Sequence, residues 1–177
     1  MMLSTVVGAV LAVLFFWAVG AYQRIVRLRM AAVQAFGGLD AHLRHTLALL
    51  DAYDAAQTSA GAPELAARQA LRATATECGT WLTAARAYPL HPDAALKLAA
   101  ALRALEVAWG VLVQHIPPLA TPAGEVPWAQ RWEQQQADNA QARQQFARAV
   151  THYNTAIGQF PAQVLAWLWG FHAARVL

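Results

Sequence analysis

From Leu3 to Tyr22 the chain carries no charged residue, and Val, Leu, Ala and Phe fill it on every face of any helix it could form. Beyond Tyr22 the apolar residues become periodic. Ile25, Leu28, Ala32, Phe36, Leu39, Leu43, Leu47 and Leu50 stand three or four apart, which is one face of a helix running to about Gln57. Arg24, Arg27, Arg29, Gln34, Arg44 and Asp51 flank that face. Gly37-Gly38 lies inside it, and each glycine costs ~1 kcal/mol relative to alanine in a helix interior, so a close approach or slight bend is expected there.

Thr58 to Gly61 reads as a turn, and Pro63 with Glu64 opens a second helix, where a proline is tolerated and the dipole favours an acid. Leu65, Leu71, Ala75, Cys78, Leu82 and Ala85 are expected on its buried face, to about Tyr88. Pro89 and Pro92 break the pattern. A third stretch, Leu98, Leu102, Leu105, Trp109, Leu112 and Ile116, alternates steps of four and three until Pro117-Pro118. A proline-rich loop reaches Pro127. The fourth helix starts near Trp128, with a Gln- and Arg-rich half, Gln130 to Gln145, expected to be solvated, and a half carrying Phe146, Val150, Tyr153, Ile157 and Phe160. No strand-like alternation occurs. The pattern predicts an all-α chain: an apolar anchor over residues 1–22, which continues into an antiparallel up-down four-helix bundle over 23–160 (helices about 23–57, 63–88, 93–116 and 127–160), then an apolar aromatic segment over 161–177.

Composition sharpens the reading of the first segment. Hydrophobic residues make up 58% of the 177 and charged residues 13%, against ~45–50% and ~25% in soluble proteins. About 20 residues of helix cross a ~30 Å hydrocarbon core, so Leu3–Tyr22 is long enough to span. Trp17 and Tyr22 near its end suit an interfacial aromatic belt. A cleaved signal peptide is the rival, with Ala18-Val19-Gly20 as a small-residue site. It lacks a basic n-region, and the next helical pattern begins with no loop between, so a retained anchor is expected. Arg24, Arg27 and Arg29 follow the span and no basic residue precedes it, which predicts the amino terminus outside and the bundle in the cytoplasm. The same arginines are expected to meet anionic headgroups.

Little else in the sequence carries chemistry. Cys78 is the one cysteine, so no intrachain disulfide or cysteine metal site can form. His42 and His45 have helical spacing for a metal but lack a further ligand set, and His91, His115, His152 and His172 share no spacing. There is no phosphate loop, nucleophile elbow or metalloprotease signature. No cofactor, metal or catalytic residue is expected. The basic residues are few and sit where a membrane would be, which argues against nucleic acid. Trp128 and Trp132 beside the proline loop are read either as a helix-end packing pair or as an exposed partner surface. In the up-down topology the segment Val164 to Phe171 returns toward the bilayer. Trp167, Trp169 and Phe171 would then sit in the interface, or the segment would fold back and cap the bundle's base.

Two stretches resemble the LemA family. One is Tyr22-Gln23-Arg24-Ile25-Val26-Arg27-Leu28-Arg29, then Ala35-Phe36, Leu39-Asp40 and Leu43-Arg44; the other is Tyr153-Asn154, Ile157, Phe160-Pro161, Leu165-Ala166 and Gly170-Phe171. Tyr88-Pro89 falls where family members often carry the same pair. Phe36 stands where the family has tryptophan, His45 lies in the basic run, and Leu47-Ala48-Leu49-Leu50 replaces an expected Ile-Pro-Asn-Leu. The resemblance implies a bacterial inner-membrane helical bundle with no enzymatic activity attached, and a magnetosome protein in the family brings membrane organisation into view. Two functions are expected from these residues: a membrane-anchored, self-associating scaffold or adaptor, or a regulatory partner of a membrane enzyme such as a peptidase. The small residues Gly8-Ala9 and Gly20-Ala21 favour helix pairing in the span.

Overall fold

The computed structural model describes residues 2–57, 62–115, 126–159, 163, 167 and 169–176. The expected turn at 58–61, Ile116 and most of the proline loop, and Phe160, Pro161, Val164–Ala166 and Leu168 lie outside the described residues. The chain is all-helical: α1 spans Met2–Ala56, α2 Ala62–Ala87, α3 Pro92–Val113 and α4 Trp128–Gly158, with no strand among the described residues.

At 55 residues, α1 is ~80 Å long. Its two parts differ in environment, not in backbone. Val6, Leu11, Val13, Phe15 and Phe16 are 59–74% exposed, so this stretch of α1 contributes nothing to the buried core. From Ile25 onward one face is buried: Ile25, Ala32, Phe36, Leu39, Leu43, Leu50 and Tyr53, three to seven residues apart. The beginning of α1 is thus long and apolar enough to cross a membrane. The close approach expected at Gly37-Gly38 is absent, because a methyl group at either glycine would meet open space.

α1 packs chiefly on α4, and α2 on α3, with a narrower contact between α1 and α2. Phe36 meets Phe146 edge-on at 5.7 Å in the middle of the α1–α4 contact. Further along, Tyr53 sets its edge against Trp109 at 5.7 Å and Trp128 at 5.6 Å, and Trp109 stacks on Trp132 at 4.7 Å. Each such aromatic pair contributes ~0.5–1.5 kcal/mol beyond its buried area. Ion pairs tie α1 to α2. Asp40 takes Arg86 at 2.9 Å, and Asp54 takes Arg68 at 2.9 Å and also Arg72; within α1 itself Asp40 also takes Arg44 at 3.1 Å.

Two expectations from spacing need correction. Leu65 is 47% exposed, and Ala67 and Arg68 turn inward instead. At ~100° per residue, Leu65 lies far around the helix from the Leu71–Leu82 stripe that α3 covers. The first half of α4 is not wholly solvated, since Trp128, Trp132, Gln135, Asn139 and Ala142 are buried. The polar members are satisfied inside. Asn139 donates to Thr46 Oγ1 at 2.9 Å, Gln135 donates to Asn139 Oδ1 at 3.2 Å and to the His42 carbonyl at 3.0 Å, and Thr46 donates to that carbonyl at 3.1 Å.

Candidate functional site

The residues expected at a membrane interface fall into two groups in space. Tyr22, at the end of the apolar stretch, lies 5.6 Å from the ring of Trp169 and 6.1 Å from that of Phe171. These three residues form a single aromatic cluster joining the start of α1 to the carboxy-terminal segment. Trp17 and Trp167 stand apart from it, Trp167 at 83% exposure. Arg24, Arg27 and Arg29 follow on exposed positions of α1. Of the three, Arg29 lines a cleft of about 610 Å³ with Tyr88, Leu90, Tyr153, Trp169 and Phe171.

The carboxy-terminal segment is held by its backbone. Asn154 accepts from the Ala174 N–H at 2.9 Å and donates to the Ala174 carbonyl at 2.8 Å. The Tyr153 hydroxyl donates to the His172 carbonyl at 3.1 Å. Ala174 is buried and Phe171 packs against the core, so the segment folds back over the base of the helices. Gly170 makes the reversal possible at φ 69°, and its N–H reaches the Trp167 carbonyl at 3.4 Å. That left-handed backbone favours glycine. Burial pushes the Tyr153 phenol up, with the Arg29 charge opposing it. The folded-back cap and an interfacial location are compatible here, because 53% of Trp169 and most of Trp167 stay open to the surroundings.

Trp128 and Trp132 do not form an exposed partner surface. Both are 7% exposed and belong to the aromatic core with Tyr53 and Trp109. They sit on the same helical stripe as Phe146, and that places them between the helices.

A second, smaller concavity of about 400 Å³ lies between α1 and α2, lined by Leu50, Tyr53, Asp54, Arg68, Leu71 and Arg72. Burial alone would raise the Asp54 carboxyl, but hydrogen bonds and charge from Arg72 and Arg68 outweigh it and hold the group below the usual carboxylate range. Arg68 also donates to the backbone carbonyls of Asp54 and Gln57 at 3.0 and 3.3 Å. Such a neutralised carboxylate staples helices; it is not poised as a base. The Tyr53 hydroxyl is buried without a hydrogen-bond partner among the described residues, and burial, reinforced by Glu64 and opposed by Arg68, pushes its pKa up. Cys78 is buried, and desolvation pushes its thiol up to about 11, so it stays protonated at neutral pH. His42 and His45 gain no companions, and no group of three or more His, Cys, Asp or Glu side chains able to hold a metal occurs among the described residues.

Of the sequence-predicted residues, Tyr22, Arg29, Trp169 and Phe171 come together at the base of the molecule, and Trp17, Trp167, Trp128 and Trp132 do not join them. The polar grip of Asn154 on Ala174 could not be read from spacing. Its one sequence signal was the Tyr153-Asn154 pair. No protein-family model matches the chain, and neither a curated protein nor a solved structure matches it.

Proposed function

We propose that this protein is a non-enzymatic scaffold or adaptor anchored in the inner membrane by the start of α1. Its helices would be arranged as an antiparallel up-down four-helix bundle on the cytoplasmic side, and it would be a member of the LemA family. One observation carries the proposal: a run of exposed apolar residues continues without interruption into the part of the same helix that has one face in the buried core. In water, that run would leave ~25 cal/mol per Å² of apolar surface unrelieved, and a bilayer relieves it. The antiparallel arrangement is supported by the partners along α1, where Tyr53 meets Trp128 and Phe36 meets Phe146, while Asp54 meets Arg68 and Asp40 meets Arg86. The orientation rests on the arginines after the span. Self-association is supported by the outer face of α3, where Leu96, Val107 and Val111 are 45–67% exposed.

Purification of the full chain in mild detergent, with the mass of the protein component measured by light scattering, tests this. A homo-oligomer with no second protein is expected. A stoichiometric membrane enzyme in the same particle would replace the scaffold by the regulatory reading, and a lone monomer would remove self-assembly.

A further inference from the structure

The cleft at the base holds a cation with no carboxylate beside it among the described residues, set beside aromatic residues that reach the end of the apolar stretch. Arg29 lines it, and no carboxylate stands among its described lining residues. The acids on α1 that are bonded to arginines lie elsewhere: Asp40 with Arg44 and Arg86, and Asp54 with Arg68 and Arg72. Arg29 has no such partner among the described residues. Trp169 lines the same cleft and touches Tyr22, so the cleft is continuous with the boundary where the apolar part of α1 ends.

We infer that this cleft binds the phosphate headgroup of an anionic phospholipid, with the Arg29 guanidinium on the phosphate oxygens and Tyr88, Trp169 and Phe171 against the glycerol and upper acyl chains. The inference rests on the anchor proposed above. Depth supports it. Arg29 stands two turns past Tyr22, about 10 Å along the axis, and a helical side chain leans back toward the amino-terminal end. With Tyr22 at the hydrocarbon edge, the guanidinium then lies in the headgroup layer, which is about 5–8 Å thick on each side. Arginine suits phosphate because its planar fork offers paired donors. The aromatic walls match the amphipathic zone just below the phosphates. A soluble phosphoester would supply the same anion but leave the aromatic walls and the open side of Trp169 uncovered.

The full-length chain in detergent is titrated with phosphatidylglycerol or phosphatidylcholine and the bound lipids are counted by native mass spectrometry. One phosphatidylglycerol bound in preference to phosphatidylcholine is expected. Arg29→Gln should weaken that preference about fivefold, the equivalent of ~1 kcal/mol for one basic contact. Arg29→Lys should restore part of it, and Arg103→Gln on α3 should leave it unchanged. An undiminished preference in Arg29→Gln overturns the site. Displacement of the lipid by millimolar glycerol phosphate overturns its assignment to a lipid. Flotation of each variant with phosphatidylcholine vesicles separates the two levels. Chains that float while Arg29→Gln binds phosphatidylglycerol normally refute the cleft alone, and chains that do not float refute the anchor and the cleft together.

Discussion

Asn154 holds Ala174 by both backbone groups at once, accepting from its N–H at 2.9 Å and donating to its carbonyl at 2.8 Å. This pairing imitates one rung of a sheet between a helix side chain and the backbone of the carboxy-terminal segment. It fixes the direction in which the last residues leave Phe171, and through Phe171 and Trp169 it fixes the aromatic contact with Tyr22. Replacing Asn154 by alanine leaves both Ala174 groups without partners. The Ala174 amide should then exchange with deuterium at least about tenfold faster, the factor that ~1.4 kcal/mol represents. Amides around Val150 in α4 should hold their protection. Unchanged exchange at Ala174 would mean that packing, not this pair of bonds, holds the segment.

The ion pairs between α1 and α2 make stability depend on acid. Asp54 is held below the ordinary carboxylate range, so its contribution is fully present above the unfolded value near ~3.9 and is lost as pH falls through the lower folded value. Asp54→Asn should cost about 2 kcal/mol at neutral pH, because buried Arg68 loses its counter-charge. The gap between wild type and variant, followed by chemical denaturation, should begin to close below about pH 4 and vanish at lower pH. A gap that stayed constant to pH 2 would show that charge is not its cause.

Asn139, Thr46 and Gln135 form a polar layer inside the α1–α4 contact. Asn139→Ala leaves Thr46 and Gln135 with buried groups partly unpaired, at a cost of about 1–3 kcal/mol. The urea midpoint should fall while the slope of the transition stays the same. Asn139→Leu tests whether the layer sets helix register. Loss of the sharp transition with little loss of stability would point to register as its role.

Cys78 should resist labelling. It is 1% exposed and its thiol is pushed to about 11, so maleimide or iodoacetamide at pH 8 should modify it only after denaturation. Rapid labelling of the native chain would mean that the α2 face opens often.

Much of this architecture is legible in the spacing of apolar residues. Ile25 to Leu50 in α1 and Leu98 to Leu112 in α3 are regular enough that their buried faces follow directly. Trp128, Trp132, Gln135, Asn139, Ala142 and Phe146 keep the same three-and-four spacing, but two of them are polar, and hydrophobicity alone hid a buried stripe as a solvated one. Leu65 misled in the other direction, being apolar but on the wrong side of α2. The base was half legible. Tyr22 and the arginines stand out because they end an uncharged run. The return of Trp169 and Phe171 onto Tyr22 depends on Asn154, Tyr153 and the left-handed Gly170, whose contacts obey no period.

For this protein to act as an anchored scaffold, the start of α1 has to lie in a bilayer and the carboxy-terminal aromatics at its edge. Spin labels at Val13→Cys and Trp167→Cys in full-length chain reconstituted into vesicles test both at once, since the native Cys78 is buried and should stay unlabelled. Power saturation should place the Val13 label near the bilayer centre and the Trp167 label within about 5–10 Å of the phosphate level. Collision of both labels with a water-soluble relaxant as freely as a label at the exposed Arg103 would contradict it.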